Sequence, residues 1–341
     1  MSVFQHRQSA LHCEGVPLEA IAEAHGTPTY VYSRQTIELA FLAYQNALAD
    51  RPHLICYAVK ANSNLAVLNV LAGLGAGFDV VSIGELERVI AAGGAADKVV
   101  FSGVGKTKQE MLSALEHGIR CFNVESESEL LTLADVAAKC GKTAPVSMRV
   151  NPDVDAGTHP YISTGLRENK FGVDVETARR LYQVAHDHRA LEPVAIDCHI
   201  GSQILDIAPF LESLDCLLTL SDDLAAEGIT LRHLDIGGGL GVSYQESAPA
   251  IGEYMSVLAA QLGSRDLELV LEPGRSIVAL AGALLTRVLY LKPSDAKNFA
   301  VVDAAMNDLL RPSLYDAWQD IQAVTPHEGE SRRWDLSLIH I

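Results

Sequence analysis

The chain has 341 residues, 48% of them hydrophobic and 20% charged, with a formal net charge of −17. That much apolar material supports a large buried core and argues against bulk disorder. The acidic balance argues against a uniform nucleic-acid surface, which needs clustered Lys and Arg, but it leaves room for small anionic ligands held by a few local groups.

In chain order, Pro28–Tyr32 reads as a strand and Arg34 to about Ala49 as a helix. An alternation follows. Short runs rich in Val, Ile and Leu, at His53–Val59, Gly77–Ser82, Lys98–Val104, Ile119–Val124, Pro145–Val150, Val194–Ile200, His233–Ile236 and Leu267–Leu271, have the texture of strands buried on both faces. Between them, Leu65–Leu74, Ile83–Ala92, Lys108–His117, Glu127–Lys139, Val175–His188, Ala208–Ala226 and Ala248–Leu262 carry apolar residues at three- and four-residue spacing, as amphipathic helices do. This predicts an α/β fold of about eight strand–helix units, a closed (β/α)8 TIM-type barrel over residues 28–281. A doubly wound open sheet competes. The barrel is preferred because candidate functional residues fall at the ends of many different strands.

Beyond Ala281 the texture changes. Ala283–Leu291 and Asn298–Asp303 read as strands with no clear helix between them, so residues 282–341, with part of 1–27, are expected to form a partial β-rich domain. The terminal LSLIHI, Leu336–Ile341, is expected neither to complete a strand pair nor to form a solvated tail. It reads as adapter read-through at the end of an incomplete gene. The six cysteines are scattered, with no C-x-x-C pair or zinc spacing, and no metal is expected. The N-terminus lacks the pattern of a signal peptide, and no apolar run reaches the roughly 18 residues of a membrane span. The expectation is a cytoplasmic protein without membrane or nucleic-acid partners.

Four strings carry the chemistry. In YAVKAN, Lys60 ends the first barrel strand, where desolvation would favour the neutral amine that condenses with an aldehyde; a snorkelling surface lysine is the alternative. In HIGSQ, His199 offers a ring for stacking and Ser202 a hydroxyl for phosphate, although a satisfied core histidine is the preferred reading of His199 taken by itself. In DIGGGLG, Gly237, Gly238 and Gly239 would let backbone N–H groups approach a phosphate, or simply form a flexible turn. In LEPGR, Glu272 is an acid within reach of a buried ligand and Arg275 a fixed cation, unless the two only pair across the turn. Together these suit a phosphate-bearing aldehyde cofactor: a Schiff-base lysine, a ring partner, a phosphate cradle and an acid for a pyridine nitrogen.

With these strings the chain resembles the barrel-type, pyridoxal-phosphate-dependent basic amino-acid decarboxylases. YAVKAN is shared with alanine racemases and is the less specific of the four. NPDVDAGTHPYISTGLRENKFG (Asn151–Gly172) and RPSLYDA (Arg311–Ala317) are similar to the diaminopimelate decarboxylases in particular, and the resemblance runs from about Pro28 to about Ala317. It implies decarboxylation of meso-2,6-diaminopimelate to L-lysine, with pyridoxal 5'-phosphate as cofactor and a homodimer with shared active sites. Lys60 would be the catalytic Schiff-base residue and His199 would stack on the ring. Ser202, Gly237, Gly238 and Gly239 would bind the phosphate, helped by the Pro273–Gly274–Arg275 backbone. Glu272 would pair with the pyridine nitrogen, backed by Asp79, and Arg275, Arg311 and Tyr315 would contact substrate.

The alternatives are another decarboxylase of the fold (ornithine, arginine or carboxynorspermidine), an amino-acid racemase, or a non-catalytic homologue that binds pyridoxal phosphate. The resemblance also implies a Cys-Glu motif and a later Tyr in the second domain. No Cys follows Cys216, and the chain is therefore expected to be incomplete and poorly active.

Overall fold

The structure, a computed structural model, describes residues 3–155, 170–326 and 332–337. It divides into two compact units. One comprises Ile37–Ser243 and Ser247–Val278; the other comprises Met1–Thr36, Tyr244–Glu246 and Ala279–Ile341.

The larger unit is a closed barrel of eight strands, all paired in parallel. In chain order they are His53–Ala58, Gly77–Val80, Val99–Phe101, Cys121–Val124, Ala144–Arg149, Leu191–Asp197, His233–Asp235 and Glu268–Leu271. The eighth pairs with the first, Leu269 opposite His53, which closes the ring and leaves no strand edge. Every strand expected from the apolar runs is present, and the open-sheet alternative is excluded. The helices that follow start where a side chain satisfies the first free N–H groups: Asn64, Ser82, Thr107, Ser126 and Asp174 each accept a backbone hydrogen bond at the N-cap.

The interior follows the two-residue period of a strand. Leu54, Cys56, Val100, Cys121, Val194, Ala195 and Val270 pack as one buried cluster, which places one residue set of several strands inside the barrel. Two residues further toward the C-terminal ends, the same face carries Ser102, Asn123, Asp197 and Glu272, all of them buried. The lower barrel is therefore apolar and its upper layer polar.

In the other unit, Phe4–Arg7, Ala10–Cys13 and Val16–Pro17 form a small antiparallel sheet, and Thr29–Tyr32 pairs antiparallel with Gly282–Leu285. Leu11, Cys13, Leu18, Val31 and Leu285 make its core. A third sheet joins Val288–Lys292, Phe299–Val302 and Asp335–Ser337. Two expectations are corrected here. The Thr29–Tyr32 strand belongs with this unit rather than with a barrel domain that starts at Pro28, because its ladder partner lies after the barrel. Asp335–Ser337 does pair, in parallel with Phe299–Val301, so the segment entering the terminal string is not left without a ladder.

His233, 3% exposed at the start of the seventh strand, is held to a pKa of about 3 by burial first and then by Arg120 and Arg232. A folded pKa below the unfolded one means that the unfolded chain binds the extra proton. Stability should therefore fall as pH drops from about 6.5 toward 3, with a slope of up to about 1.4 kcal/mol per pH unit from this residue. Urea unfolding at stepped pH should show that slope reduced in His233→Gln.

Candidate active site

The C-terminal ends of the barrel strands converge on a ring of polar side chains. Lys60 lies in the turn Val59–Ala61 directly after the first strand, and its Nζ donates to Asp79 Oδ2 on the second. The Asp79 side chain is fully buried, while that of Lys60 is half exposed. Burial pulls the Lys60 pKa down, but attraction by Asp79 and Glu272 outweighs it and the net shift is upward. Burial likewise raises the Asp79 carboxyl, and Lys60 and His199 more than reverse that. Here the sequence argument needs correction. Desolvation alone does not make Lys60 neutral, because the acid on the neighbouring strand favours the ammonium form.

On the far side of the ring, His199 sits between two buried carboxylates. Its Nε2 lies 2.5 Å from Glu272 Oε2 and its Nδ1 3.1 Å from Asp197 Oδ1. Burial disfavours the charged ring, yet Glu272 and then Asp197 raise its pKa well above the usual value. Glu272 Oε1 accepts from Asn123 Nδ2 at 3.2 Å, and the same amide nitrogen donates to Ser102 Oγ at 3.2 Å. The local Glu272–Arg275 pair considered from the sequence is not what forms. Arg275 instead turns to Ser202, with Nη2 3.2 Å and Nε 3.4 Å from its Oγ. A cation and a hydroxyl thus stand together on the wall assigned to phosphate.

The glycines of DIGGGLG are there because three loops meet. A Cβ on Gly238 would lie 2.3 Å from the Glu272 carbonyl oxygen; one on Gly237 would lie 2.6 Å from Cys198 O and 2.8 Å from the His199 ring. Gly239, at φ +113°, would meet Gly201 O at 2.8 Å. The strands' ladder continues through these loops: Glu272 N donates to Gly237 O (2.8 Å), Ile204 N to Gly239 O (3.0 Å) and Ala58 N to Pro273 O (3.2 Å). Gln203 clasps Val242 through both its amide atoms. Gly274 leaves room for Ala58 and Ala61 beside the Lys60 turn.

The structure therefore brings Lys60, Asp79, His199, Ser202, Gly237, Gly238, Gly239, Glu272, Pro273, Gly274 and Arg275 to one end of one barrel. Arg311 and Tyr315 lie in the other unit on the helix Arg311–Tyr315, with the Arg311 guanidinium 5.0 Å from the centroid of the Tyr315 ring. Part of Asn151–Gly172, including THPYISTG, lies outside the described residues. Ser102, Asn123, Arg149 and Asp197 were not singled out from the sequence. Their only signal was a polar residue within an apolar strand, in register with the polar layer. Arg149 is buried against Glu125 at 3.2 Å.

A primary amine, an imidazole, a buried acid and a cation–hydroxyl pair beside a wall that admits no Cβ are the donor set that a pyridoxal phosphate requires, so the residues fit that group. The pyridoxal-dependent decarboxylase family, in its pyridoxal binding domain, matches residues 34–279. The diaminopimelate decarboxylase of Pseudomonas aeruginosa is 61% identical over 98% of this chain and 81% of its own length. The crystal structure of the Helicobacter pylori diaminopimelate decarboxylase complexed with L-lysine superposes with a TM-score of 0.89 at 47% identity, covering 91% of this chain and 79% of that one. SrLDC, solved in complex with PLP and cadaverine, is 27% identical with a TM-score of 0.79, over 93% of this chain and 77% of its own.

Because the Gly238 clash is with backbone, a neighbouring side chain cannot relieve it. Gly238→Ala should lower stability by about 1–3 kcal/mol in urea unfolding and weaken cofactor loading as the loops separate.

Proposed function

The chain belongs to the pyridoxal-dependent decarboxylases, and among them to the diaminopimelate decarboxylases; on that premise we propose that its barrel mouth binds pyridoxal 5'-phosphate through the residues assembled there. The reaction is removal of one carboxylate from diaminopimelate to leave lysine. The observation that carries the site assignment is the polar ring itself, with the Lys60–Asp79 pair on one side and the His199–Glu272 pair on the other at the same end of one barrel. When bound, the cofactor supplies an electron sink for the bond that loses carbon dioxide.

The chain's own residues define the rest. Lys60 would be the amine that holds the cofactor through its aldehyde. Asp79 receives or returns the proton on Lys60 Nζ as the amine changes state. Glu272 would be the acid that keeps the pyridine nitrogen protonated, and His199 would supply a stacking partner for the ring. Ser202, the Gly237–Gly239 backbone and the backbone of Gly274 and Arg275 would hold the phosphate. Arg275, Arg311 and Tyr315 are assigned to substrate, whose distal carboxylate suits a guanidinium. Ornithine lacks that carboxylate, which disfavours the neighbouring decarboxylase specificities.

The test is to add pyridoxal phosphate to the protein, reduce with borohydride and map the labelled peptide, then assay carbon dioxide release from diaminopimelate, ornithine and arginine. The adduct should fall on Lys60, and diaminopimelate should be the preferred substrate. Lys60→Ala should abolish the adduct and lower turnover by on the order of 10³ or more. An adduct elsewhere would sink the site assignment.

A homodimer in the cytoplasm is part of the same proposal. It is supported by six free cysteines and by Val288–Lys292, a strand exposed along its whole length, where Tyr290 is 72% and Leu291 59% exposed. An apolar patch of this kind marks an interaction surface. No helix among the described residues is long and apolar enough to cross a membrane. Sedimentation should give a dimer that Leu291→Asp shifts toward monomer; an unchanged mass would remove this strand from the interface.

A further inference from the structure

We propose that Asn123 is a positioning residue for Glu272, its side-chain amide fixing the carboxylate that faces the pyridine nitrogen. The inference rests on the assignment of Glu272 just given and adds the group that holds it.

The Glu272 carboxylate is fully buried and, when ionised, can only accept hydrogen bonds. One oxygen is taken by His199 and the other by Asn123 Nδ2 at 3.2 Å. The groups around it are mostly of its own sign. Asp79 from the second strand, Asp197 from the sixth and Asp235 from the seventh oppose its charge; His199 offsets them, with Lys60 and Arg149 as the other cations of the cluster. Burial and then Asp79 raise its pKa. A neutral donor aimed at Oε1 is the contact that this crowded site can add without a further buried charge, and its removal leaves a buried acceptor unsatisfied.

Asn123 is itself held from two sides. Its amide presents nitrogen to Glu272, whose ionised carboxylate can only accept, and the same nitrogen donates to Ser102 Oγ. Its backbone carbonyl accepts from Lys106 Nζ at 2.7 Å. Lys106 has a side chain only 1% exposed, pinned by Glu129 Oε1 at 2.7 Å and Gly103 O at 2.8 Å. That buried lysine, which no step of the reaction uses, fixes the backbone from which Asn123 reaches.

The competing role is that Asn123 only fills space, and the test separates the two. Asn123→Asp keeps the shape and replaces the donor by a carboxylate. The introduced carboxyl can still donate when protonated, so the variant should recover as pH falls and fail as pH rises and the two carboxylates repel. The wild type lacks that transition. In the pyridoxal-phosphate-loaded protein the transition should appear in the visible spectrum as well as in turnover. At pH 8, kcat should be about 10- to 100-fold below wild type, with KM within about threefold, the scale on which a residue supporting a functional group acts. Asn123→Ala, which keeps the Lys106 anchor, should show the fall without the low-pH recovery.

Glu272→Gln is the control for the underlying assignment. If it keeps the wild-type spectrum and turnover, the reading of Glu272 fails. If it is impaired while both Asn123 variants keep wild-type spectra and kcat, the positioning role is overturned and Glu272 stands. Losses that simply add in Glu272→Gln/Asn123→Ala would also overturn it, since a residue acting through Glu272 has nothing left to do in that background. Should either Asn123 variant fail to fold, Ser102→Ala removes the acceptor of the amide, and with it the hydroxyl's hydrogen bond to Asp79. It carries the same expectation at smaller amplitude, and a wild-type spectrum there counts against the proposal.

Discussion

A closed parallel barrel must fill its own interior, and this one does so with two unlike layers. The two-residue period of a strand dictates the arrangement: whatever faces inward at one level faces inward again two residues later. Val100, Cys121, Ala195 and Val270 build the apolar layer, and Ser102, Asn123, Asp197 and Glu272 follow on the same face. The apolar layer anchors the strands against water. The polar one then sits on a dry floor, where charges are poorly screened and each depends on its neighbours.

That dependence explains the electrostatics. Asp79, Asp197, Asp235 and Glu272 are all nearly or fully buried; among the described residues Lys60 and His199 answer them, with Arg149 shared with Glu125. The excess is relieved at Asp235, whose pKa is raised well above the ordinary value by burial, then Glu272 and Asp197. The hydrogen bond that Asp235 Oδ1 accepts from Gly237 N at 2.8 Å favours the charged form but does not reverse that shift. His199 is held charged between Asp197 and Glu272, and Lys60 is held charged by Asp79. Lys60, which would have to be neutral to condense with an aldehyde, thus rests beside an acid that favours its ammonium form and could take its proton.

The fold and much of this site were legible in the sequence for a physical reason. Residues that end a buried strand and start a turn lie next to one another in the chain, so Lys60, the HIGSQ loop, the triple glycine and the LEPGR turn appear as short strings. Asn123 and Asp197 lie inside strands, flanked by apolar neighbours. Their meaning comes from register across the barrel, which a linear reading does not contain. The same holds for Thr29–Tyr32: its ladder partner, Gly282–Leu285, is some 250 residues away, so nothing local hints that this strand leaves the barrel. The strands at Phe4–Arg7 and Ala10–Cys13 are only four residues each, too short for alternation to register.

The glycine loop shows how packing and chemistry can impose the same residue. Read alone, three glycines suggest backbone donors for a phosphate. In the structure, the loops after the sixth, seventh and eighth strands approach so closely that a Cβ at Gly237, Gly238 or Gly239 would meet backbone within 2.8 Å. The approach brings Ser202 and Arg275 side by side and lets His199 reach Glu272. A side chain at these positions would separate the Ser202–Arg275 pair from Glu272 at the other end of the ring, and both would lose their place relative to Lys60. The glycines therefore act through distance: they set the spacing between side chains that belong to different strands.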